Sequence, residues 1–196
     1  MTQYFYSKGL GAEVLDYTAN DYDWLLTRAV KGEDCVYSEY LANPKRLCDT
    51  IACELRRLHE IDYADCPVME RTREYLATAE KNYQTGNYDK SVFPDSFGYR
   101  SAEEAHQVLE AGKDALQAKV LLHGDYCLPN IILDNWKFSG FIGGVGDRHI
   151  DLFWGVWTLW FNLKTNKYRD RFLDAYGRDK IDESLLKVIA AAEVFG

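Results

Sequence analysis

The sequence predicts an α+β fold: a small β leader, then a mainly helical body with a short β insert near residues 120–142. Three observations carry this expectation. Apolar and polar residues alternate before residue 30. From Pro44 onward apolar residues recur at helical spacing. Between the helical stretches, brief apolar runs bounded by turn residues interrupt that period. At 196 residues the chain has the length of one domain.

The elements follow in order. Residues 12–17 alternate as a first strand, Asn20 and Asp21 make a turn, and Asp23 to Val30 form a second strand closed by Gly32. Ser7 to Gly11 is glycine-bearing but lacks the G-x-G-x-x-G spacing, so it reads as a turn. Asn43 is placed as an N-cap with Pro44 at the first helical position, and Leu47, Ile51, Leu55 and Leu58 mark the apolar face through to His59. A second helix covers 68–82 and stops at Thr85, Gly86 and Asn87. Residues 91–99, with Pro94 and Gly98, read as a loop. Ser101 with Glu104 three residues on is a capping-box start for a third helix. A short strand from Val120 runs into a polar loop, and strands at 130–134 and 137–142 are joined by an Asn135-Trp136 turn. Helices at about 148–163, 166–176 and 181–194 complete the chain, with Gly177 ending the middle one.

Hydrophobic residues make up 47% and charged residues 28%, a globular composition that excludes disorder. The net charge of -8 argues against nucleic acid, which recruits a basic face, and is compatible with a cationic ligand. No apolar run reaches the ~18 residues of a spanning helix, so no membrane partner is expected. Cys35, Cys48, Cys53, Cys66 and Cys127 are scattered and odd in number, and the start at Met1 has neither a basic nor an apolar leader region. A reducing cytoplasm is the expected location.

The chemistry concentrates in His123-Gly124-Asp125-Tyr126-Cys127-Leu128-Pro129-Asn130. A carboxylate and an amide five residues apart on one loop suit phosphoryl transfer: the Asp accepts a hydrogen bond from an attacking hydroxyl and the Asn oxygen ligates Mg²⁺. His123 braces the loop in this reading. His-Gly-Asp alone is equally compatible with a capped turn. The full string, followed by Ser139-Gly140-Phe141-Ile142, Gly146-Asp147-Arg148 and Asp151, is more specific.

On these residues, with Leu58 to Asp62 and Asp65 to Pro67 upstream, the sequence resembles the aminoglycoside 3′-phosphotransferases along its whole length. The resemblance implies a protein-kinase-like fold, here a helical large lobe over residues 31–196 with a remnant of the small lobe and hinge over 1–30. It implies transfer of the ATP γ-phosphoryl to an aminoglycoside hydroxyl, with ATP and Mg²⁺ as cofactors and an aminoglycoside and a nucleotide as ligands. Asp125 would then be the catalytic residue and Asn130 a metal ligand. Thr27, Arg28, Ala29 and Val30 would be hinge residues at the adenine. Glu193 would be an ammonium partner at the drug, beside the terminal aromatic Phe195. The alternative for this acidic chain end is a solvated face.

The departures from the family pattern point the other way. The family places a metal-binding Asp directly after Phe-Ile, and here that position is Gly143. The span from Phe141 to Asp147 is about four residues shorter than the pattern. A Gly-rich phosphate cover, the strand Lys and its partner Glu have no assignable counterpart. The expectation is an impaired phosphotransferase, and the alternative is a catalytically inert kinase-fold binding module. Removing small-lobe strands leaves apolar surface and open edges, a route to self-association.

Other candidates have plainer explanations. Asp147, His149 and Asp151 offer metal-ligand chemistry, and with His123 and Asp125 a metal-dependent hydrolase, but at a helix start they serve as caps. Asp147 sliding into the missing metal position is a further alternative. Cys48, Cys53 and His59 do not share a helix face and make no zinc site. Cys127 is expected to be inert. Trp154, Trp157 and Trp160 read as a core stripe.

Overall fold

A computed structural model describes residues 1–92, 97–140 and 144–196, without the side chains of 92, 139 and 140. The order of elements is α1 (Thr2–Ser7), β1 (Val14–Ala19), β2 (Asp23–Thr27), β3 (Glu33–Asp34), α2 (Ser38–Leu41), α3 (Pro44–His59), α4 (Arg71–Thr85), α5 (Ala102–Gly112), β4 (Val120–Leu121), β5 (Ile132–Asp134), β6 (Lys137–Gly140), β7 (Val145–Gly146), α6 (His149–Leu163), α7 (Arg169–Tyr176) and α8 (Glu183–Glu193).

Local signals set most of the helix ends. Pro44 opens α3, although the Asn43 side chain donates back to the Glu39 carbonyl instead of capping. Ser101 Oγ accepts the Glu104 N–H at 3.2 Å, and Glu104 reaches back to the Arg100 N–H at 2.8 Å, one residue earlier than a strict capping box. Gly177 ends α7 at φ +113°. The second helix is displaced by three residues from its expected range, because Gly86 at φ +67° supplies its left-handed stop. Unforeseen from the sequence are β3, α2, β7 and α1; in α1, Phe5 enters the same core as α3, with Leu10 just beyond it, and that tertiary contact holds a helix of only six residues.

The strands are short and lie in three small sheets. β1 and β2 form an antiparallel hairpin, β5 is central between β3 and β6, and β4 pairs with β7. Asn135 and Trp136 both take positive φ in the β5–β6 hairpin, as its two-residue turn requires. Trp136 is held there by the Arg46 guanidinium, 4.2 Å from the ring centroid, and by Tyr40 edge-on at 4.7 Å.

Two cores support the helical body. One gathers Leu47, Ile51, Leu55 and Leu58 of α3 with Leu152 of α6 and Phe172 and Tyr176 of α7. The other joins Ala105 and Leu109 of α5 to Val188 and Ile189 of α8. Gly155 is where α6 and α7 close up, since a Cβ there would meet Phe172 at 2.5 Å. The tryptophans do not form the expected core stripe. A three-residue step drifts about 60° backwards around a helix, so the row winds out of the core. Trp154 and Trp157 are half-buried and Trp160 is exposed, while Leu152, Gly155, Thr158 and Leu159 are buried.

Candidate active site

The loop after β4 carries Asp125 and Asn130, and buried groups hold it from below. Gly124 sits at φ +88°, which a side chain would strain, and its N–H donates to Asp151 Oδ1 at 2.8 Å. The His123 N–H donates to Asp151 Oδ2 at 2.7 Å. Asp151 is fully buried in the first turn of α6, so its carboxylate anchors two consecutive loop amides. His59, at the end of α3, bridges Asp151 Oδ2 at 3.2 Å and the Tyr176 hydroxyl at 2.7 Å. Burial pushes the His59 pKa down, so the neutral ring donates from Nε2 to Asp151 and accepts the Tyr176 hydroxyl on Nδ1. Tyr126 donates to the Ile51 carbonyl at 2.6 Å, and the Leu128 N–H donates to Thr158 Oγ1 at 3.0 Å.

His123 has the bracing role expected of it. Its side chain is buried, burial lowers its pKa, and Nδ1 accepts the Asp125 N–H at 3.2 Å. Asp125 is exposed at the top of the loop, and its Oδ2 accepts from Asn130 Nδ2 at 2.7 Å. That bond occupies the Asn130 amide nitrogen and leaves the amide oxygen as the atom for another partner. The Cys127 thiol is pushed up first by burial and then by its hydrogen bond with Asp125, so it stays protonated and unreactive.

Above the loop lies a cleft of about 780 Å³. Asp125, Asn130, His123 and Gly124 line one side, Leu25, Thr27 and Val30 another, and Val68, Arg71 and Glu74 a third. Thr27 and Val30, two of the four residues of the hinge reading, line the same cavity as Asp125. Two features of that reading are corrected. The strand ends at Thr27, not Val30, and Arg28 turns away: its N–H donates to the Glu13 carbonyl at 2.9 Å and its side chain pairs with Glu13. Ala29 is exposed and does not line the cleft.

At the chain end, Glu193 is not on a solvated face. Its Oε1 accepts the Tyr75 hydroxyl at 2.7 Å and the Trp154 indole N–H at 2.8 Å, with no ion-pair partner among the described residues. Burial pushes its carboxyl up to about 6. The negative charge of Asp125 adds to that shift, which ties Glu193 electrostatically to the loop. Phe195 is fully buried among Tyr83, Tyr88 and His106, so its ring anchors the chain end instead of offering a ligand surface.

A protein-held Mg²⁺ would draw on the Asp125 and Glu74 carboxylates and the Asn130 amide oxygen among the described residues that line the cleft. Such a site needs one or two carboxylates beside the phosphates. Phe141, Ile142 and Gly143 lie outside the described residues, and Gly143 brings no carboxylate where the family pattern has an Asp. Asp147 cannot replace it. It is fully buried, its Oδ1 accepts from the His149 N–H and Nδ1, and its Oδ2 accepts the Ala118 N–H at 2.8 Å. Its own N–H donates to Thr72 Oγ1 at 2.6 Å. The same bonds remove the metal-dependent hydrolase reading, because Asp147 and Asp151 are both committed inside the fold.

Sequence reasoning located Asp125, Asn130 and the bracing His123, and assigned Asp147 a capping role. It missed His59, Tyr176 and Tyr75 as supporting groups and saw only a helix cap in Asp151. No local pattern signals these contacts, which join residues 92 to 118 positions apart.

Comparison with known proteins agrees with this geometry. The profile of the Phosphotransferase enzyme family (APH) matches residues 2–186. A probable aminoglycoside 3′-phosphotransferase of Lactococcus lactis subsp. lactis is 51% identical over 201 residues, covering 100% of this chain and 76% of the relative. An aminoglycoside 3′-phosphotransferase of Niallia circulans is 30% identical, covering 88% of this chain and 67% of its own length. The crystal structure of a type VIII aminoglycoside-3′-phosphotransferase superposes with a TM-score of 0.82 at 22% identity, over 100% of this chain and 77% of that one. An aminoglycoside phosphotransferase from Streptomyces rimosus, solved with ADP and streptomycin, gives 0.77 at 24% identity, over 97% of this chain and 79% of that one. With the Asp125–Asn130 loop standing over a kinase-like helical lobe, the chain belongs to the aminoglycoside phosphotransferase family.

Proposed function

We propose that the cleft receives a nucleotide along β2 and an aminoglycoside toward Glu193, for transfer of the ATP γ-phosphoryl to a drug hydroxyl. The observation that carries this reading is the exposed Asp125 carboxylate, held by Asn130 on a loop clamped to Asp151. In the transfer, the bond from the γ-phosphorus to the ADP oxygen breaks as the drug oxygen bonds to phosphorus. Asp125 orients the attacking hydroxyl by accepting its hydrogen bond and takes up its proton as the new O–P bond forms, and Glu193 offers charge to an ammonium group.

Turnover by this chain is severely impaired or absent in this reading. Gly143 stands where the family carries its metal-binding Asp, and Asp147 is locked in place. Losing that electrostatic stabilisation removes most of what drives the chemistry. The Lactococcus alignment runs over 201 positions while covering this whole 196-residue chain, so residues inside the matched span of the relative have no counterpart here. The same facts favour a second reading, an inert kinase-fold module that binds without turnover. The open edges of the β1–β2 hairpin support self-association, and a strictly monomeric sedimentation profile would count against it.

The test is phosphorylation of kanamycin by purified protein with Mg·ATP, beside calorimetric titration of the drug. Drug binding with no detectable product is the expected result. Product formation abolished by Asp125→Asn would overturn the impairment, and no binding of drug or nucleotide would overturn the ligand assignment.

A further inference from the structure

A second cluster of ligating side chains lies between α4 and α5, beside a groove that Glu80 and Glu110 line and that shares no lining residue with the cleft. Glu80 comes from α4, and His106 and Glu110 come from one face of α5, four residues apart. One ligand atom from each lies within 4.8 Å of the other two. His106 Nε2 is 2.8 Å from Glu80 Oε2.

These groups are held by neighbours outside the triad. Gln84 donates to Glu80 Oε1 at 2.6 Å, which leaves Oε2 turned toward the imidazole. Tyr83 stacks flat on His106, with centroids 3.8 Å apart and planes at 10°, and Phe195 meets the ring edge-on at 6.4 Å. The imidazole plane is therefore fixed by aromatic packing, with Nε2 held toward Glu80. Glu110 is exposed and, among the described residues, pairs with Lys113, itself partly exposed. Such an exposed pair is weak and yields to a stronger partner.

We propose that Glu80, His106 and Glu110 form a divalent metal site of the zinc type that ties α4 to α5. One imidazole nitrogen with two carboxylate oxygens suits a borderline ion, whereas Mg²⁺ and Ca²⁺ prefer all-oxygen shells. Three protein ligands leave a position for water, and the adjoining groove of about 420 Å³, bounded by Glu80, Glu110, Lys113 and Asp114, gives it access. The metal would bridge Glu80 and His106, which are already in contact, and displace Lys113 from Glu110. The site is independent of the phosphotransferase reading.

Titration of the full chain with Co²⁺, followed by visible absorption and Zn²⁺ competition, tests the assignment. One ion should bind with the spectrum of nitrogen and oxygen ligands, free of the thiolate charge-transfer band that the cysteines would give. His106→Gln and Glu110→Gln should each weaken binding by at least about tenfold. Lys113→Ala should strengthen it by freeing Glu110. Zn²⁺ should raise Tm in the parent chain but not in Glu110→Gln, whose exposed position leaves folding intact. Absence of saturable binding, a thiolate band, or affinities indifferent to all three substitutions would overturn the site and leave an ordinary ion-pair network.

Discussion

The Asp125 loop and the β1–β2 hairpin line the same cleft, and the fold treats them in opposite ways. Beneath the loop, Asp151, His59, Tyr176, Tyr126 and His123 are all buried, and each makes a hydrogen bond that fixes the backbone or its neighbour. The hairpin has almost nothing beneath it. Tyr22, Trp24 and Leu26 keep 75%, 68% and 58% of their surface exposed, and the sheet has two strands only. A two-stranded hairpin is marginal in water without a packed face. The chain therefore spends its core on presenting Asp125 and leaves the β1–β2 wall of the cleft to local pairing.

The comparison breaks most directly at Asp151. Asp151→Ala orphans two buried loop N–H groups and the His59 donor, and should lower unfolding stability by roughly 3–5 kcal/mol. Urea unfolding measures this, and a loss below about 1 kcal/mol would mean that the clamp does not hold the loop.

Glu193 sharpens the contrast from the helical side. Its folded pKa of about 6 lies above its ordinary 4.5, so between those values the folded state holds more protons. The penalty for its buried charge is absent below pH 4.5 and complete above about 6, so its contribution to stability falls as pH rises. At about 1.4 kcal/mol per unit this amounts to about 2 kcal/mol. The stability difference between the parent and Glu193→Gln should change by that amount between pH 4 and 7, in favour of the variant at the higher pH. A difference that stays constant with pH would place the charge in water.

The smallest effect belongs to the hairpin. Trp24→Ala, despite removing the largest of side chains, should change unfolding stability by no more than about 0.5 kcal/mol, because little of the ring is buried. A loss of several kcal/mol would show that the hairpin is packed against something in solution.

What the sequence determined by itself was local. Pro44, the Ser101–Glu104 pair, Gly177 and Asn135 announce their conformations through their own φ preferences and hydrogen-bonding reach. The Asp125 to Asn130 spacing exposes the candidate site in the same way, since both residues lie on one short loop. Tertiary structure decided the rest. It made a helix of residues 2–7 by burying Phe5, and tucked the half-buried Glu193 under Tyr75 and Trp154. It also converted Asp151 from a helix-start acid into the anchor of the loop. Each of these depends on a partner far away in the chain, and neither periodicity nor propensity carries information across such distances.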